Sequence, residues 1–399
     1  MAVVAGRGKQ VVGLRRGSRL KLRPLLAASV ISLLACACAP REGVLVPVEV
    51  GEPVAGGAQV DMLVATTRAP SAAPGVVFSG ERGDGLAFTN MVVSIPPNRP
   101  VGSIQWPQQV PPNPTREFAV TEVDPLTRAG VRNWYLSQPK AKRRVLVFVH
   151  GFNTRFDAAV FRFAQFVHDT DTNLVPVLFS WPSRGQVTSY VYDRESTNFS
   201  RTDLANVLAT AAASPHVDEV VVLAHSMGAW LAVEALRDLA LRDGKVPAKI
   251  SNVILASPDL DIDVFERQLR DMGPKRPHMT IFVSRNDRAL SVSRLLAGEV
   301  TRVGAVDLTD PAYAARLEQG DGVVVLDLTA LQGGDSLNHS KFATSPQMVQ
   351  IMGEQFVAGQ DIASTAPAGA PDVVSGLVGA VASAPIQVFA AGRAAVTGP

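Results

Sequence analysis

Cysteine is nearly absent from this chain of 399 residues, which contains only Cys36 and Cys38. Both lie close to the N-terminus, so no thiol is left to form a disulfide bond within the rest of the chain. The folded part must therefore be stabilised by its core, whatever compartment it occupies. Hydrophobic residues make up 47% of the composition, and a chain of this length can bury one large core or two modest ones.

Several signatures of cofactor sites are also missing. There is no His-Glu-x-x-His pair, no cysteine cluster with metal-ligand spacing, no Gly-Lys-Ser/Thr phosphate loop and no dinucleotide glycine fingerprint. We therefore expect neither a metal nor a cofactor. The formal net charge of +2 includes seven basic residues in the first 35 positions, so the remainder is net negative. This charge distribution does not predict nucleic-acid binding.

Acidic residues are absent from residues 1–35, which combine basic residues, an apolar segment from Leu25 to Leu34 and small residues in the order of a secretory signal peptide. The apolar segment is shorter than the roughly 20 residues that a membrane span needs. Residues 33–36 (Leu-Leu-Ala-Cys) resemble the lipobox of bacterial lipoproteins, which favours lipid attachment at Cys36, with Cys38 as the alternative. We expect a lipid-anchored protein of the bacterial cell envelope, facing the periplasm or at the outer membrane; an ordinary cleaved signal would instead give a soluble secreted protein.

The pattern of the chain changes at Arg144. Before it the sequence is rich in proline and glycine; after it, short apolar runs alternate with helical stretches, which is typical of a parallel sheet covered by helices on both faces. We predict a linker over 36–58, one α/β domain over 59–357 and a low-complexity tail over 358–399 that lacks a packed core. The alternative for the tail is an apolar segment, 373–388, lying on a membrane surface.

Individual elements can be predicted from the apolar runs and from helix-capping residues. A Ser-x-x-Asp box predicts that a helix begins near Ser200, and Ser345-Pro346 predicts the start of the last helix. The predicted strands are 60–66, 87–95, 118–123, 145–149, 175–179, 220–223, 252–256, 280–284 and 323–328.

A candidate nucleophile lies at residues 224–228, which read Ala-His-Ser-Met-Gly. The motif follows the apolar run 220–223 and precedes a helix-forming stretch, so Ser226 falls on a strand-to-helix turn. Such a turn exposes the serine oxygen above the sheet, where the first N–H groups of the helix also point. A small-x-Ser-x-Gly pattern also occurs by chance at tightly packed helix starts, but the strand and helix around it favour a nucleophile.

Six histidines are available as the base that a serine nucleophile needs. His339 follows the last predicted strand, at the same sheet edge as Ser226, and is the candidate base. The others fit less well: His225 adjoins the nucleophile, His168 lies in a helix, His216 and His278 precede strands, and His150 is expected to be a hydrogen-bonding neighbour.

The acid that orients the base is predicted to be Asp287, directly after the strand 280–284. The order Ser, Asp, His along the chain is that of α/β-hydrolases. Asp259 is its main rival, whereas Asp261 and Asp263 have the pattern of helix-start residues.

The His-Gly-Phe-Asn turn at 150–153 follows the strand 145–149. Glycine here allows close backbone approach, so the N–H groups of Phe152 and Met227 are the predicted oxyanion donors; a plain tight turn is the alternative. Aromatic residues after the next strand could wall a substrate pocket or merely pack under a loop. The pocket candidates are His150, Gly151, Asn153, Trp181, Tyr190 and Tyr192.

Together these residues resemble a bacterial family of uncharacterised α/β-hydrolases, often described as esterase- or lipase-like. The resemblance extends from about Met62 to Phe356. The motifs that carry it are Phe-Val-His-Gly-Phe-Asn at 148–153, Phe-Ser-Trp-Pro-Ser at 179–183, Tyr-Asp-Arg-Glu-Ser at 192–196, Ala-His-Ser-Met-Gly at 224–228 and Ser-Arg-Asn-Asp-Arg-Ala-Leu at 284–290.

The resemblance implies the α/β-hydrolase fold and the triad Ser226, Asp287 and His339, but no particular substrate. The expected function is hydrolysis of a small-molecule or lipid carboxylic ester through an acyl-enzyme. An acyltransferase or thioesterase would use the same residues, and a noncatalytic envelope binding protein on this fold is the alternative of another class. The sequence makes no prediction of oligomeric state.

Overall fold

The structure is a computed structural model. It describes residue 2 and residues 42–49, 54–139, 143–310, 312, 313, 316, 322–331, 335–358 and 387–390. Apart from residue 2, the predicted signal peptide lies outside the described residues, as do both cysteines.

The core of the protein is a ten-stranded sheet, in the order β10-β9-β8-β7-β6-β4-β5-β1-β2-β3. The neighbouring strands from β9 to β1 are parallel, whereas β2, β3 and β10 pair antiparallel at the two ends of the sheet. The strands are β1 (Ala58–Pro70), β2 (Phe78–Ile95), β3 (Ala119–Leu126), β4 (Arg144–Val149), β5 (Val175–Ser180), β6 (Glu219–His225), β7 (Ile250–Ala256), β8 (His278–Val283), β9 (Val323–Asp327) and β10 (Gln387–Ala390).

Helices cover both faces of this sheet. They are α1 (Arg128–Ser137), α2 (Phe156–Asp169), α3 (Tyr190–Ala213), α4 (Met227–Asp243), α5 (Ile262–Met272), α6 (Arg288–Leu296), α7 (Lys341–Thr344) and α8 (Pro346–Ala358). One core cluster contains residues of α1, α3, α4 and α5, and the other contains residues of α2, α7 and α8. In β4, Val147 belongs to the first cluster and Phe148 to the second, which explains why the strand is apolar at every position.

The mostly parallel sheet with helices confirms the predicted α/β-hydrolase fold class. Because the central strands are parallel, the loops after β4, β5, β6, β7, β8 and β9 all emerge at one edge of the sheet, which we call the carboxyl edge. Among the described residues, no helix has the length and apolar character needed to cross a bilayer.

The most informative difference from the sequence prediction is in α3. The helix begins at Tyr190, about three turns before the predicted start at Ser200, so the Ser200 capping box is wrong. Its first half buries polar side chains, including Asp193, Ser196 and Thr197. A buried polar face produces no apolar periodicity, which is why the pattern missed it.

Further differences occur near the ends of the domain. Val44 and Leu45, in the segment predicted to be a linker, are buried in the core. Helix α1 has no counterpart among the predicted elements, and β2 extends upstream of its predicted start to form a long hairpin with β1. Within the predicted low-complexity tail, Gln387–Ala390 pairs with β9. The rest of that tail lies outside the described residues.

Candidate active site

Ser226 occupies a strained turn between β6 and α4. Its backbone has φ 54° and ψ −123°, a conformation that costs a residue other than glycine about 1–3 kcal/mol. The turn is held from both sides, because the Ser226 N–H donates to the Ala256 carbonyl at 3.0 Å and the Ser226 carbonyl accepts from the Asp259 N–H at 3.1 Å. The side chain does not cap α4, so its hydroxyl is left for other partners.

Two glycines let the turn after β4 lie against the nucleophile. A Cβ on Gly228 would come within 2.2 Å of the His150 carbonyl oxygen, so only glycine allows α4 to approach β4 this closely. A Cβ on Gly151 would lie 2.9 Å from the Cβ of Ser226. The predicted oxyanion turn is therefore in van der Waals proximity to the serine.

The candidate base and acid are paired. His339 Nδ1 lies 2.7 Å from Asp287 Oδ2, and the Asp287 side chain is fully buried. Because the carboxylate accepts the Nδ1 proton, the other ring nitrogen of His339 is left to act as a base. Asp287 also accepts from the Leu290 N–H at 2.9 Å, which fixes it at the start of α6.

His339 lies next to the strained turn. The His225 and His339 ring centroids are 4.6 Å apart, and His225 Nε2 lies 3.1 Å from the His339 carbonyl oxygen. Within the described residues, no hydrogen bond joins the Ser226 hydroxyl to the His339 ring. Such bonds are often long or misaligned without substrate and tighten in the reacting complex.

The rival acids form hydrogen bonds and ion pairs with other groups. Asp259 forms an ion pair with Arg302, with Nε to Oδ1 at 3.2 Å, and accepts from the Ser293 hydroxyl at 2.5 Å. Asp261 caps α5 through the N–H groups of residues 263 and 264. Asp263 forms an ion pair with Arg316.

Two neighbouring histidines are held in the neutral form. Burial, followed by the charge of Arg68, lowers the pKa of His150 to about 3. Burial, followed by the nearby His339, lowers the pKa of His225 well below its ordinary value. Since a carbonyl oxygen can only accept, His225 must carry its proton on Nε2. Neither ring is therefore suited to act as the base.

The two predicted oxyanion donors are not used in hydrogen bonds within the described part of the chain. Neither the Phe152 N–H nor the Met227 N–H donates a hydrogen bond to any described residue. Met227 is the first residue of α4, where the helix dipole adds positive potential. The two groups can therefore accept a developing oxyanion without losing an existing bond.

Sequence reasoning gave no role to Arg68, which organises the oxyanion turn from β1. Arg68 is 1% exposed, and its guanidinium donates to the carbonyls of Thr154 and Ser183, both at 2.8 Å. It also donates to the Ser180 hydroxyl at 2.8 Å and lies 3.2 Å from His150 Nε2. Burial lowers the pKa of Arg68 to about 9, so the group stays charged at neutral pH. One signal was available, an arginine that closely follows the apolar run 62–65 of β1.

Asp193 of α3 completes this arrangement. Its carboxylate accepts from the Ser183 hydroxyl at 2.5 Å and from the N–H groups of Arg184 and Asn153, at 3.1 and 3.3 Å. Burial raises the pKa of Asp193, while these bonds and the charge of Arg68 oppose that shift. The buried polar face of α3 thus holds the oxyanion turn from the other side.

Lys341 lies beside the acid and base, as Arg68 lies beside the oxyanion turn. Its Nζ is buried and lies 2.9 to 3.2 Å from four acceptors on the loops after β8 and β9. Asp335 fixes the same region, because its carboxylate accepts from the backbone N–H groups of His339 and Ser340 at 3.0 and 2.7 Å. Neither residue was a sequence candidate, although Lys341 follows His339 by only two positions.

The pocket candidates are placed differently from one another. Trp181 is fully buried and stacks on His150 at 4.9 Å, so it packs behind the turn and does not wall an open pocket. Tyr192, in α3, contacts the β1–β2 hairpin through its hydroxyl, and the Arg184 guanidinium lies 3.6 Å from its ring centroid. Tyr190 contacts the edge of the Phe152 ring at 5.3 Å and is the aromatic candidate next to the oxyanion turn. Asn153 is exposed, with φ 55°.

A cavity of about 770 Å³ lies elsewhere, between α1, α3 and the sheet. Its lining is largely apolar and reaches Tyr135 and His216, on the side of the sheet where the strands begin. Ser226 is not among the residues that line this cavity. No group of three or more potential metal-ligating side chains occurs among the residues that the structure describes.

Comparisons with known proteins agree with this architecture. The sequence model of a family described as alpha/beta hydrolases of unknown function (DUF900) matches residues 130–355, more than half of the chain. An uncharacterised protein from a Nostoc species is 26% identical over 125 residues, which cover 25% of this chain and 33% of that protein. The match thus spans about a third of the length of this relative.

Two esterases of solved structure are similar at low identity. Esterase B from Lactobacillus rhamnosis is 12% identical, with 85% of this chain and 95% of that chain covered and a TM-score of 0.37. An esterase from Pyrococcus furiosus is 12% identical, with 55% and 81% covered and a TM-score of 0.29.

Proposed function

The chain belongs to the family of alpha/beta hydrolases of unknown function, and from this premise we propose that it is a serine hydrolase of carboxylic esters. The observation that carries the proposal is the paired His339 and Asp287, at 2.7 Å, beside a serine held at positive φ. A buried acid, an oriented base and a strained serine at one sheet edge are the elements of acyl transfer.

In the proposed first step, the Ser226 oxygen attacks the acyl carbon while His339 takes the hydroxyl proton on Nε2. The negative charge on the carbonyl oxygen is stabilised by the N–H groups of Phe152 and Met227. Asp287 stabilises the imidazolium. The intermediate then collapses: the bond to the leaving alcohol breaks, and His339 returns the proton to the departing oxygen.

The second step repeats this chemistry with water. His339 takes a proton from the water as its oxygen attacks the acyl-enzyme, and the proton then passes to the Ser226 oxygen as the free acid leaves. The cycle is balanced without a metal, an oxidant or a cofactor.

Covalent labelling tests the nucleophile. We expect a fluorophosphonate probe to label the wild-type protein and to fail on Ser226→Ala, because only an activated serine attacks the phosphorus. Equal labelling of both proteins would exclude Ser226. Normal folding without labelling or turnover in wild type would favour the noncatalytic binding protein.

A substrate panel tests the ester specificity. Aryl esters of increasing acyl length, assayed with wild type and His339→Ala, should show turnover that depends on the histidine. Faster cleavage of matched thioesters would identify a thioesterase, and transfer of the acyl group to added alcohols would identify an acyltransferase.

We also propose that the mature protein is anchored by a lipid on Cys36. The support is the basic, apolar and small-residue order of the leader and the Leu-Leu-Ala-Cys sequence at 33–36. Metabolic labelling with an alkyne fatty acid should mark the wild type, and Cys36→Ser should abolish the label. Retention of the label in Cys36→Ser with loss in Cys38→Ser would move the site to Cys38.

A further inference from the structure

Exposed aliphatic side chains are concentrated around the candidate active site. Among the described residues, eleven large hydrophobic side chains are exposed, and six of these lie in three segments next to the site. We call these six the apolar rim: Val187, Val191, Val292, Leu295, Leu296 and Leu337, which are 49% to 72% exposed. Exposed apolar side chains concentrated at one place are a mark of an interaction site.

The three segments are joined by hydrogen bonds. Tyr190, between Val187 and Val191, places its hydroxyl 3.1 Å from the Ser293 hydroxyl of α6. The Arg288 N–H donates to the Leu337 carbonyl at 2.9 Å. Residues 292, 295 and 296 share one face of α6 by their spacing. The three segments are therefore neighbours in space, and two of them border Asp287 and His339 in sequence.

Two of the three rim segments carry only positive charge, and in the third the carboxylate of Asp335 accepts hydrogen bonds from backbone N–H groups. Residues 184–191 and 288–296 contain no aspartate or glutamate, and their charged side chains are the exposed Arg184, Arg288 and Arg294. Two of these pair with acids from outside the segments, Glu81 and Glu299. An apolar surface bordered by arginines is complementary to a bilayer that contains anionic lipids.

The first described residues of the domain enter at this same edge. The Leu45 N–H donates to the Gly75 carbonyl at 2.9 Å, in the loop that joins β1 to β2 at the carboxyl edge. The pKa of Arg155, the residue that precedes α2 and follows the oxyanion turn, is raised chiefly by its hydrogen bond to Asp157 and to a smaller extent by the charge of Glu42. Cys36 precedes Glu42 by six residues, a length that spans at most roughly 20 Å.

We propose that the apolar rim rests on an anionic bilayer, so that the entrance to Ser226 opens onto the membrane from which lipid esters are drawn. The tether part of this inference rests on the proposed lipid at Cys36, whereas the surface itself rests on the exposed side chains. A short tether and an apolar surface at the same edge would hold the domain in one orientation.

Tryptophan quenching by brominated lipids tests the orientation without any use of catalysis. Leu295→Trp places a fluorophore in the rim, and Leu241→Trp is the matched control, since both leucines are well exposed on helices, at 68% and 59%. With the full chain on anionic vesicles, we expect the Leu295→Trp signal to lose roughly half its added fluorescence, with a smaller loss on zwitterionic vesicles. The control should behave like wild type.

Three outcomes would overturn the proposal: a chain that does not float with vesicles, a floating chain in which Leu295→Trp is not quenched, or equal quenching of Leu241→Trp. None of these depends on fluorophosphonate labelling of Ser226. Failure of the membrane surface and failure of the hydrolase function can therefore be told apart.

A second measurement links the rim to turnover. The triple variant Val292→Gln, Leu295→Gln, Leu296→Gln should lower the ratio of rates on a bilayer-embedded ester and on a water-soluble ester by about tenfold. The matched triple Val101→Gln, Leu136→Gln, Leu241→Gln removes exposed aliphatic side chains outside the rim and should leave the ratio unchanged. Equal ratios in the two triples would contradict a role of the rim in substrate access.

Discussion

The two halves of the candidate site are held by different kinds of contact. On the oxyanion side, the turn is fixed by buried side chains from β1 and α3, chiefly Arg68 and Asp193. On the acid–base side, His339 is 13% exposed and is supported by backbone bonds to Asp335 and by Lys341. The half that would stabilise charge is thus fixed chiefly by buried charged side chains, whereas the half that would move protons depends chiefly on hydrogen bonds with the backbone; both arrangements preorganise a site for acyl transfer.

The largest expected effect is on the acid–base half. Asp287→Asn should lower kcat about 10⁴-fold, because an amide no longer stabilises the imidazolium or selects the right tautomer. The measurement is kcat on an aryl ester at equal folded concentration. Asp259→Asn is the control: it breaks the ion pair with Arg302 and should lower thermal stability far more than kcat. A larger loss of kcat in Asp259→Asn would exchange the roles of the two acids.

On the oxyanion half, Arg68→Lys should lower kcat about 100-fold with little change in KM. A lysine cannot reach the several acceptors of the guanidinium, so the oxyanion turn loses its alignment. Arg99→Lys is the control, a second buried arginine that lies over Phe118 away from the site. Similar kcat losses in both variants would show that burial rather than position accounts for the effect.

Lys341→Met probes the support of the acid and base. Methionine retains an apolar stem but removes the bonds to the loops after β8 and β9, so kcat should fall about tenfold through misplacement of His339. The pH–rate profile should shift as well, since Lys341 contributes positive charge near Asp287. A fall in melting temperature with an unchanged profile would limit Lys341 to a structural role.

The smallest expected effect on catalysis comes from Asp169, which belongs to neither half. Burial alone would raise its pKa, but hydrogen bonds from His168, Arg99 and the Gly102 N–H lower it to about 2. A depressed carboxyl pKa stabilises the fold above the unfolded value of 3.8, and this stability is lost as the pH falls from there towards 2.

We therefore expect Asp169→Asn to lower the free energy of unfolding by about 2 kcal/mol at pH 7, and by progressively less below pH 4. Urea denaturation at several pH values provides the measurement, and kcat should be unaffected. A destabilisation that does not vary with pH would exclude the charge of Asp169 as its origin.

Sequence patterns were sufficient to predict the elements whose geometry depends on residues adjacent in sequence. The strand before Ser226, the helix after it and the His-Gly turn each follow from apolar periodicity and from the conformational needs of short turns. The last helix begins at Pro346 as predicted, because proline favours the first helical position. The α/β-hydrolase fold follows from the same alternation of strands and helices.

The supporting residues could not be found this way because they act through contacts distant in sequence. Arg68 contacts Ser183 across 115 residues, and Lys341 contacts Ser284 across 57. The face of α3 that contains Asp193 is buried although it is polar. Its composition alone would predict an exposed face. Only the assembled structure indicates that such residues are interior.

The positive φ of Ser226 implies a conflict between folding and reactivity. Glycine adopts this conformation freely, so Ser226→Gly should make the protein about 1 kcal/mol more stable while removing the proposed nucleophile. Selection for stability alone would favour the inactive chain. A serine at this strained position is what one expects if the protein is maintained for its chemistry rather than for its fold.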